Sequence, residues 1–253
     1  MLRVAVVGSQ ALVDACAPSP SPGLDVARLA GADPLRGEPP DAVVAFAPEG
    51  SQRELVDRLG LPALLWWPSE PPAGRRRTRP RQRVVAASDA SGVWRSLPPP
   101  VADALYDAPL DGSPGRAQWL GRGGTRRDAY LGLFENSARL LPDDRHPGDE
   151  RRPEVAINIH DDEQPACEHR ALVALARGQL LVSETLVPAR GLEPGIDYLE
   201  ARDLDDVFIA VDNAARAPEA FRRVRLRGRR KAELFRASRV IERLVGDLLL
   251  EVR

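Results

Sequence analysis

The stretch EVAINIHDDEQPACEHRALVALARGQLLVSE, Glu154–Glu184, decides the fold. An apolar run predicts a strand over Val155–Ile159, and a second predicts one over Leu180–Ser183. Between them stand the polar turn His160–Pro165 and a helical pattern over Ala166–Ala176, with Gly178 as its stop. Neither strand alternates apolar with polar residues, as strands do when one face meets water. Both therefore read as parallel strands covered on both faces and joined by a crossover helix.

Outward from this unit the same alternation continues. Before it, Ala117–Leu120 reads as a strand and Arg126–Leu140 as a helix. After it come a short strand near Tyr198 and Leu199 and helices near Leu204–Ala214, Glu219–Arg223 and Ala232–Val252. The last carries Phe235, Ile241, Leu244, Leu248 and Leu249 at helical spacing, so it should lie against an apolar surface. In the first half, Val4–Val7, Ala42–Phe46, Ala63–Trp67 and Val84–Ala87 read as buried strands, with a helix at Arg53–Leu59. The Pro- and Arg-rich stretch 68–83 is a loop, and Asp107–Gly115 is turn chemistry. The predicted class is therefore α/β, in two domains, 1–112 and 113–253.

With 43% hydrophobic and 29% charged residues the 253-residue chain can bury a core. No apolar run is long enough to span a membrane, and the N-terminus has no signal-peptide pattern, so the expected location is cytoplasmic. A net charge of -1 gives no overall field for nucleic acid or an anionic membrane, so no nucleic-acid partner is expected. Lys231 is the sole lysine among 36 basic residues, a sign of codon bias that discounts arginine runs. Cys16 and Cys167 form no metal or disulfide framework.

Two places concentrate chemistry. The turn Gly121–Arg127 (GRGGTRR) sets backbone N–H groups, the Thr125 hydroxyl and the guanidiniums of Arg122 and Arg126 at a helix start, an arrangement suited to a phosphate or diphosphate. The alternative is a turn with Thr125 as N-cap and its arginines in water. The second place is the polar end of the 154–159 strand, where ligands of open α/β sheets bind. His160, Asp161, Asp162 and Glu163 lack a second histidine at ligand spacing, so no metal is expected. Glu168 and Arg170 fall in the first turn of the next helix, either at the ligand or as surface charges that do not interact. Glu184 and Glu193 add carboxylates that suit a hydroxyl-rich ligand.

The motifs INIHDDE, EHRALVALARGQLLVSE, GLEPGIDYL and DLDDV, the tail APEAFRRVRLRGRRKAELF, and WLGRGGTRRDAYL before them resemble the C-terminal domain of the CgeB/YkvP-like glycosyltransferases, a branch of the GT-B superfamily. The resemblance covers residues 116–250; residues 1–110 match only as a shortened Rossmann-like partner. It implies two Rossmann-like domains facing across a cleft, with the C-terminal helix packing back on the first. It also implies sugar transfer from a nucleotide-sugar donor to an unidentified acceptor, without metal or other cofactor. The 1–112 domain would be the acceptor side and 113–253 the donor side. Arg122, Gly123, Gly124, Thr125 and Arg126 would face the diphosphate and His160 and Arg170 would border the donor. Glu168, Glu184 and Glu193 would contact hydroxyls or ribose. The chain departs from the Glu-x7-Glu pair of many retaining GT-B enzymes: Val173 and Pro165 stand at its two positions. The competing class is a non-catalytic nucleotide- or sugar-binding protein that kept the fold.

Overall fold

The computed structural model describes residues 1–29, 38–68, 78–87, 92–107, 109–110, 113–120, 125–134, 140–141, 153–160 and 167–252. The chain is α/β, with two compact units: 1–104 together with 235–253, and 105–234. Each is built on a parallel sheet, the Rossmann-like arrangement expected.

Sheet one holds β1 (Leu2–Gly8), β2 (Leu24–Arg28), β3 (Ala42–Phe46), β4 (Ala63–Trp67), β5 (Gln82–Ala86) and β6 (Arg95–Ser96), in the order β2-β1-β3-β4-β5-β6. Its strands are apolar on both faces because both faces are covered. Val4, Val6, Val44, Phe46, Leu64, Trp66 and Val85 pack against α1 (Gln10–Cys16) and α7 (Ala237–Glu251), through Val13 and Cys16 of the first and Val240, Ile241, Leu244 and Leu248 of the second. The alternate residues Ala5, Val7, Val43, Ala45, Ala63 and Leu65 meet Leu55 and Val56 of α2 (Ser51–Leu59). The C-terminal helix thus supplies half of one face of the first sheet. Its stripe begins later than the sequence suggests, because α6 (Arg222–Ala232) and the 3-10 turn Glu233–Phe235 take up the residues before Arg236.

Asp103 anchors that return. Its carboxylate accepts from the backbone N–H of Ser19 at 2.8 Å and from the Ser238 hydroxyl at 2.7 Å, with Arg236 Nη1 at 3.5 Å. The division between units falls at Ala104 and Leu105 rather than at 112, and the segment from Phe235 onward joins the first unit.

Sheet two holds β7 (Ser113–Trp119), β8 (Leu140–Leu141), β9 (Pro153–Asn158), β10 (Leu180–Ser183) and β11 (Leu199–Glu200), in the order β11-β10-β9-β7-β8. Ala117, Trp119, Val155, Ile157, Leu180 and Val182 bury one face against Val207, Val211 and Ala214 of α5 (Leu204–Arg216), with Tyr130 and Leu131 of α3 (Thr125–Phe134) beside them. The helix expected over Arg126–Leu140 is described over Thr125–Phe134, residues 135–139 lie outside the described residues, and Leu140 is a strand residue.

The helix α4 (His169–Ala176) packs with α6 and β10. Contact between α4 and α6 is close because of Gly228, where a Cβ would lie 2.4 Å from the Asp197 carbonyl oxygen and 2.6 Å from Leu175 Cδ2. Beneath α6, buried Arg225 is tied to the Glu154 carboxylate and the Leu110 carbonyl and donates to the Gly178 carbonyl at 2.8 Å.

Candidate functional site

Position comes from topology. In sheet two the first strand, β7, is followed on one side by β8 and on the other by β9, so the chain leaves β7 and β9 in opposite directions. The carboxyl ends of two such strands are where ligands of open α/β sheets bind. The residues that meet at this edge come from α3, from the ends of β9 and β10, and from the first turn of α4.

Arg126 and Arg127 lie in the first turn of α3. Arg127 is 4% exposed, and its Nε donates to the Ile159 carbonyl at 3.0 Å. Arg126 grips Glu184 with both ends of its guanidinium: Nη1 donates to Oε2 at 2.9 Å and Nη2 bonds Oε1. Nη1 also donates to the His160 carbonyl at 3.0 Å, and the guanidinium lies 4.9 Å from the Tyr130 ring. Its side chain is 30% exposed, so part of the guanidinium is open to an anion. The bidentate bond to Glu184 raises the Arg126 pKa above its ordinary value.

Glu184 ties two strand ends together. Its Oε2 also accepts from the backbone N–H of His160 at 2.7 Å. Burial pushes this carboxyl up, but the hydrogen bonds from Arg126 and His160 outweigh it and hold the pKa below its ordinary 4.5. His160 is 4% exposed, and its Nε2 lies 3.0 Å from the Thr185 carbonyl; a carbonyl only accepts, so Nε2 carries the proton.

Arg170 reaches the same edge from α4. Its Nε donates to Asn158 Oδ1 at 2.9 Å, and the guanidinium pairs with Glu168, which also lies 3.9 Å from Arg127 Nη2. Asn158, fully buried, passes the link on by donating to Ser183 Oγ at 2.9 Å, and that hydroxyl donates to the Glu184 carbonyl at 2.8 Å. Three guanidiniums thus surround two carboxylates on a hydrogen-bonded rim, a site with a positive excess among the described residues.

The residues singled out from the sequence divide into four groups. Arg126, His160, Glu168, Arg170 and Glu184 come together. Thr125 opens α3, already helical and exposed, so it does not cap from outside the helix. Arg122, Gly123 and Gly124 lie outside the described residues, as do Asp161, Asp162 and Glu163. Glu193 goes elsewhere: its carboxylate faces Lys231 Nζ at 3.5 Å, on α6.

Two expectations change. Glu168 and Arg170 form an ion pair, and Glu184 is bound to arginine and a backbone N–H rather than held open for hydroxyls. Sequence reasoning gave Asn158 and Ser183 no role, although a polar residue closing each apolar strand was the signal; Arg127 stood in the GRGGTRR motif without a partner.

Among the described residues no group of His, Cys, Asp or Glu could hold a metal ion. Burial pushes the Cys16 thiol to about 12 and the Cys167 thiol to about 11, so neither is a nucleophile at neutral pH. No described helix is long and apolar enough to cross a membrane.

No family model matches the chain, and no curated protein matches it. Among solved structures it is similar to a glycosyltransferase from Rickettsia africae ESF-5, at 9% identity over 99% of this chain and 98% of that one, with a TM-score of 0.49. It is also similar to sucrose-phosphate synthase from Thermosynechococcus elongatus, at 12% identity over 100% and 99%, TM-score 0.48. An α1,3-fucosyltransferase with GDP matches at 8% identity over 88% and 81%, TM-score 0.41.

Proposed function

We propose that the protein is a GT-B-type glycosyltransferase that moves a sugar from a nucleotide-sugar donor to an acceptor, without a divalent metal. The reading rests on one observation: Arg126, Arg127 and Arg170 converge at the carboxyl edge of sheet two, with a positive excess and with Arg126 30% exposed. A departing nucleoside diphosphate gathers negative charge, and preformed guanidiniums stabilise it without reorganising. Arg126 holds the diphosphate through the exposed part of its guanidinium, together with Arg122, while Glu184 fixes the orientation of the guanidinium. The unit 105–234 is the donor side, and the unit carrying sheet one is the acceptor side.

Isothermal titration with UDP-, GDP- and ADP-sugars, in the presence of a chelator, tests the reading. One of the three is expected to bind and to turn over in a donor-hydrolysis assay; failure of all three to bind overturns it.

A second reading, a non-catalytic nucleotide-binding protein, is favoured by the engagement of both carboxylates of the site. Glu168 and Glu184 are paired with arginine, so neither stands ready to take an acceptor proton. Binding without turnover, with a range of acceptors, selects it.

A further inference from the structure

The helix α6 reads RRVRLRGRRKA, and its two faces differ. Arg225, Gly228 and Ala232 are buried. On the other side Arg223, Leu226, Arg227 and Arg230 recur at spacings of three and four, and Leu234 follows one turn on. They line two shallow hollows that share Arg227 and Arg230. Arg222 and Glu219 complete the first, and Asp197, Lys231 and Leu234 complete the second. This face lies away from the candidate site: α6 is fastened through Arg225 to Glu154 and Gly178, at the amino ends of β9 and β10.

The decisive feature is pairing, not arginine content, which codon bias inflates. Elsewhere in this unit Arg126, Arg170, Arg202 and Arg216 each meet a carboxylate, as does buried Arg225 on the inner side of α6. On α6, Arg227 pairs with Asp197 at 3.4 Å and Lys231 with Glu193 at 3.5 Å. Arg222, Arg223 and Arg230 meet no acidic partner among the described residues. Arg223, Arg227 and Arg230 stand four and three residues apart, a spacing at which like charges disfavour a helix, so an anionic partner would relieve the repulsion. Between them Leu226 is 43% and Leu234 64% exposed. An apolar pair framed by unpaired guanidiniums matches an anionic bilayer surface, where leucine enters the interface and arginine stays with the headgroups. Nucleic acid fits less well, because the stripe offers no aromatic face for a base. The net charge of -1 does not oppose this, since salt confines each field to about 10 Å.

We propose that the exposed face of α6, with Leu234, docks the protein on an anionic phospholipid bilayer. This does not depend on the glycosyl-transfer reading. Flotation of the full chain with phosphatidylcholine vesicles, alone or with phosphatidylglycerol, tests it. Binding is expected only with phosphatidylglycerol and should fall as salt rises. Changing Arg222, Arg223 and Arg230 together to Ser should weaken it about a hundredfold, about fivefold per arginine. The corresponding triple Lys variant should keep most of it. Leu226→Ser with Leu234→Ser should weaken vesicle binding several-fold and leave any binding to duplex DNA unchanged. Equal binding to both vesicle types, or none, overturns the proposal. So does loss of binding in the Lys variant, which would mark the arginines as structural. A leucine double variant that binds vesicles as the parent does, with DNA displacing them, would make the face a nucleic-acid surface instead.

Discussion

Both sheets share a strand order around their first strand, β2-β1-β3 in one and β8-β7-β9 in the other, yet the carboxyl edges at that point are chemically opposite. At the edge of sheet one the chain closes on itself. A Cβ on Gly8 would lie 3.1 Å from the Phe46 carbonyl oxygen and 3.3 Å from Val13 Cγ2, so the missing side chain serves packing. Ser9 spends its hydroxyl on the N–H of Leu12, and Arg28 is paired with Asp14 at 3.2 Å. At the edge of sheet two, guanidiniums crowd together, held by carboxylates and carbonyls. Topology offers two such edges, and among the described residues converging guanidiniums furnish that of sheet two.

The comparison can be pressed hardest at Trp66, the largest fully buried side chain of sheet one, whose Nε1 donates to the Leu97 carbonyl. Trp66→Ala should cost about 3 to 5 kcal/mol of stability, measured by urea unfolding. The milder Trp66→Phe variant should stay folded and bind nucleotide as the parent does; weakened binding there would break the division of labour.

Next in size is Arg126→Ala, which removes charge-assisted bonds and should weaken nucleotide binding roughly ten- to a hundredfold by titration. An unchanged Kd would leave sheet two's edge as an internal ion-pair network. Ser9→Ala should lower stability by about 1 kcal/mol through loss of the cap, with nucleotide binding untouched. A tenfold weaker Kd in that variant would mean that both edges are furnished.

Much of this architecture is legible in the chain because buried parallel strands have a simple signature. Ala42–Phe46, Ala63–Trp67 and Leu180–Ser183 are strands to the residue, each a short apolar run with both faces covered. The edge strand β2 escapes, since Asp25 and Arg28 interrupt it and only Leu24 is fully buried. Helix α1 escapes because it is seven residues long and follows a turn signal. At the site, residue types were readable and partners were not. Arg126 and Glu184 are 58 positions apart, and only the order β7-β9-β10 brings the first turn of α3 onto the residue after β10. Sequence spacing carries local geometry, and a pair of this kind is tertiary.

The smallest expected effect is the acid dependence of Glu184, small because burial and arginine oppose each other there. Its folded pKa is depressed below 4.5, so the stability it contributes is fully present above that value and is lost as pH falls through the folded pKa. Glu154 works in the other direction: burial lifts its pKa against the pull of Arg225, so its contribution is present at low pH and fades as pH rises through its folded value. The two signs partly cancel in the acid unfolding curve of the parent, which therefore tests neither. The difference between the parent and Glu184→Gln isolates one. That difference should be flat from neutral pH to about 4.5 and should shrink below it. At the edge of sheet one the pair of Asp14 with Arg28 is exposed and screened by solvent, so Asp14→Asn should cost less stability at neutral pH than Glu184→Gln does. If the two variants cost the same at neutral pH, the ion pairs at both edges are equally superficial, and the contrast between the sheets reduces to the number of arginines.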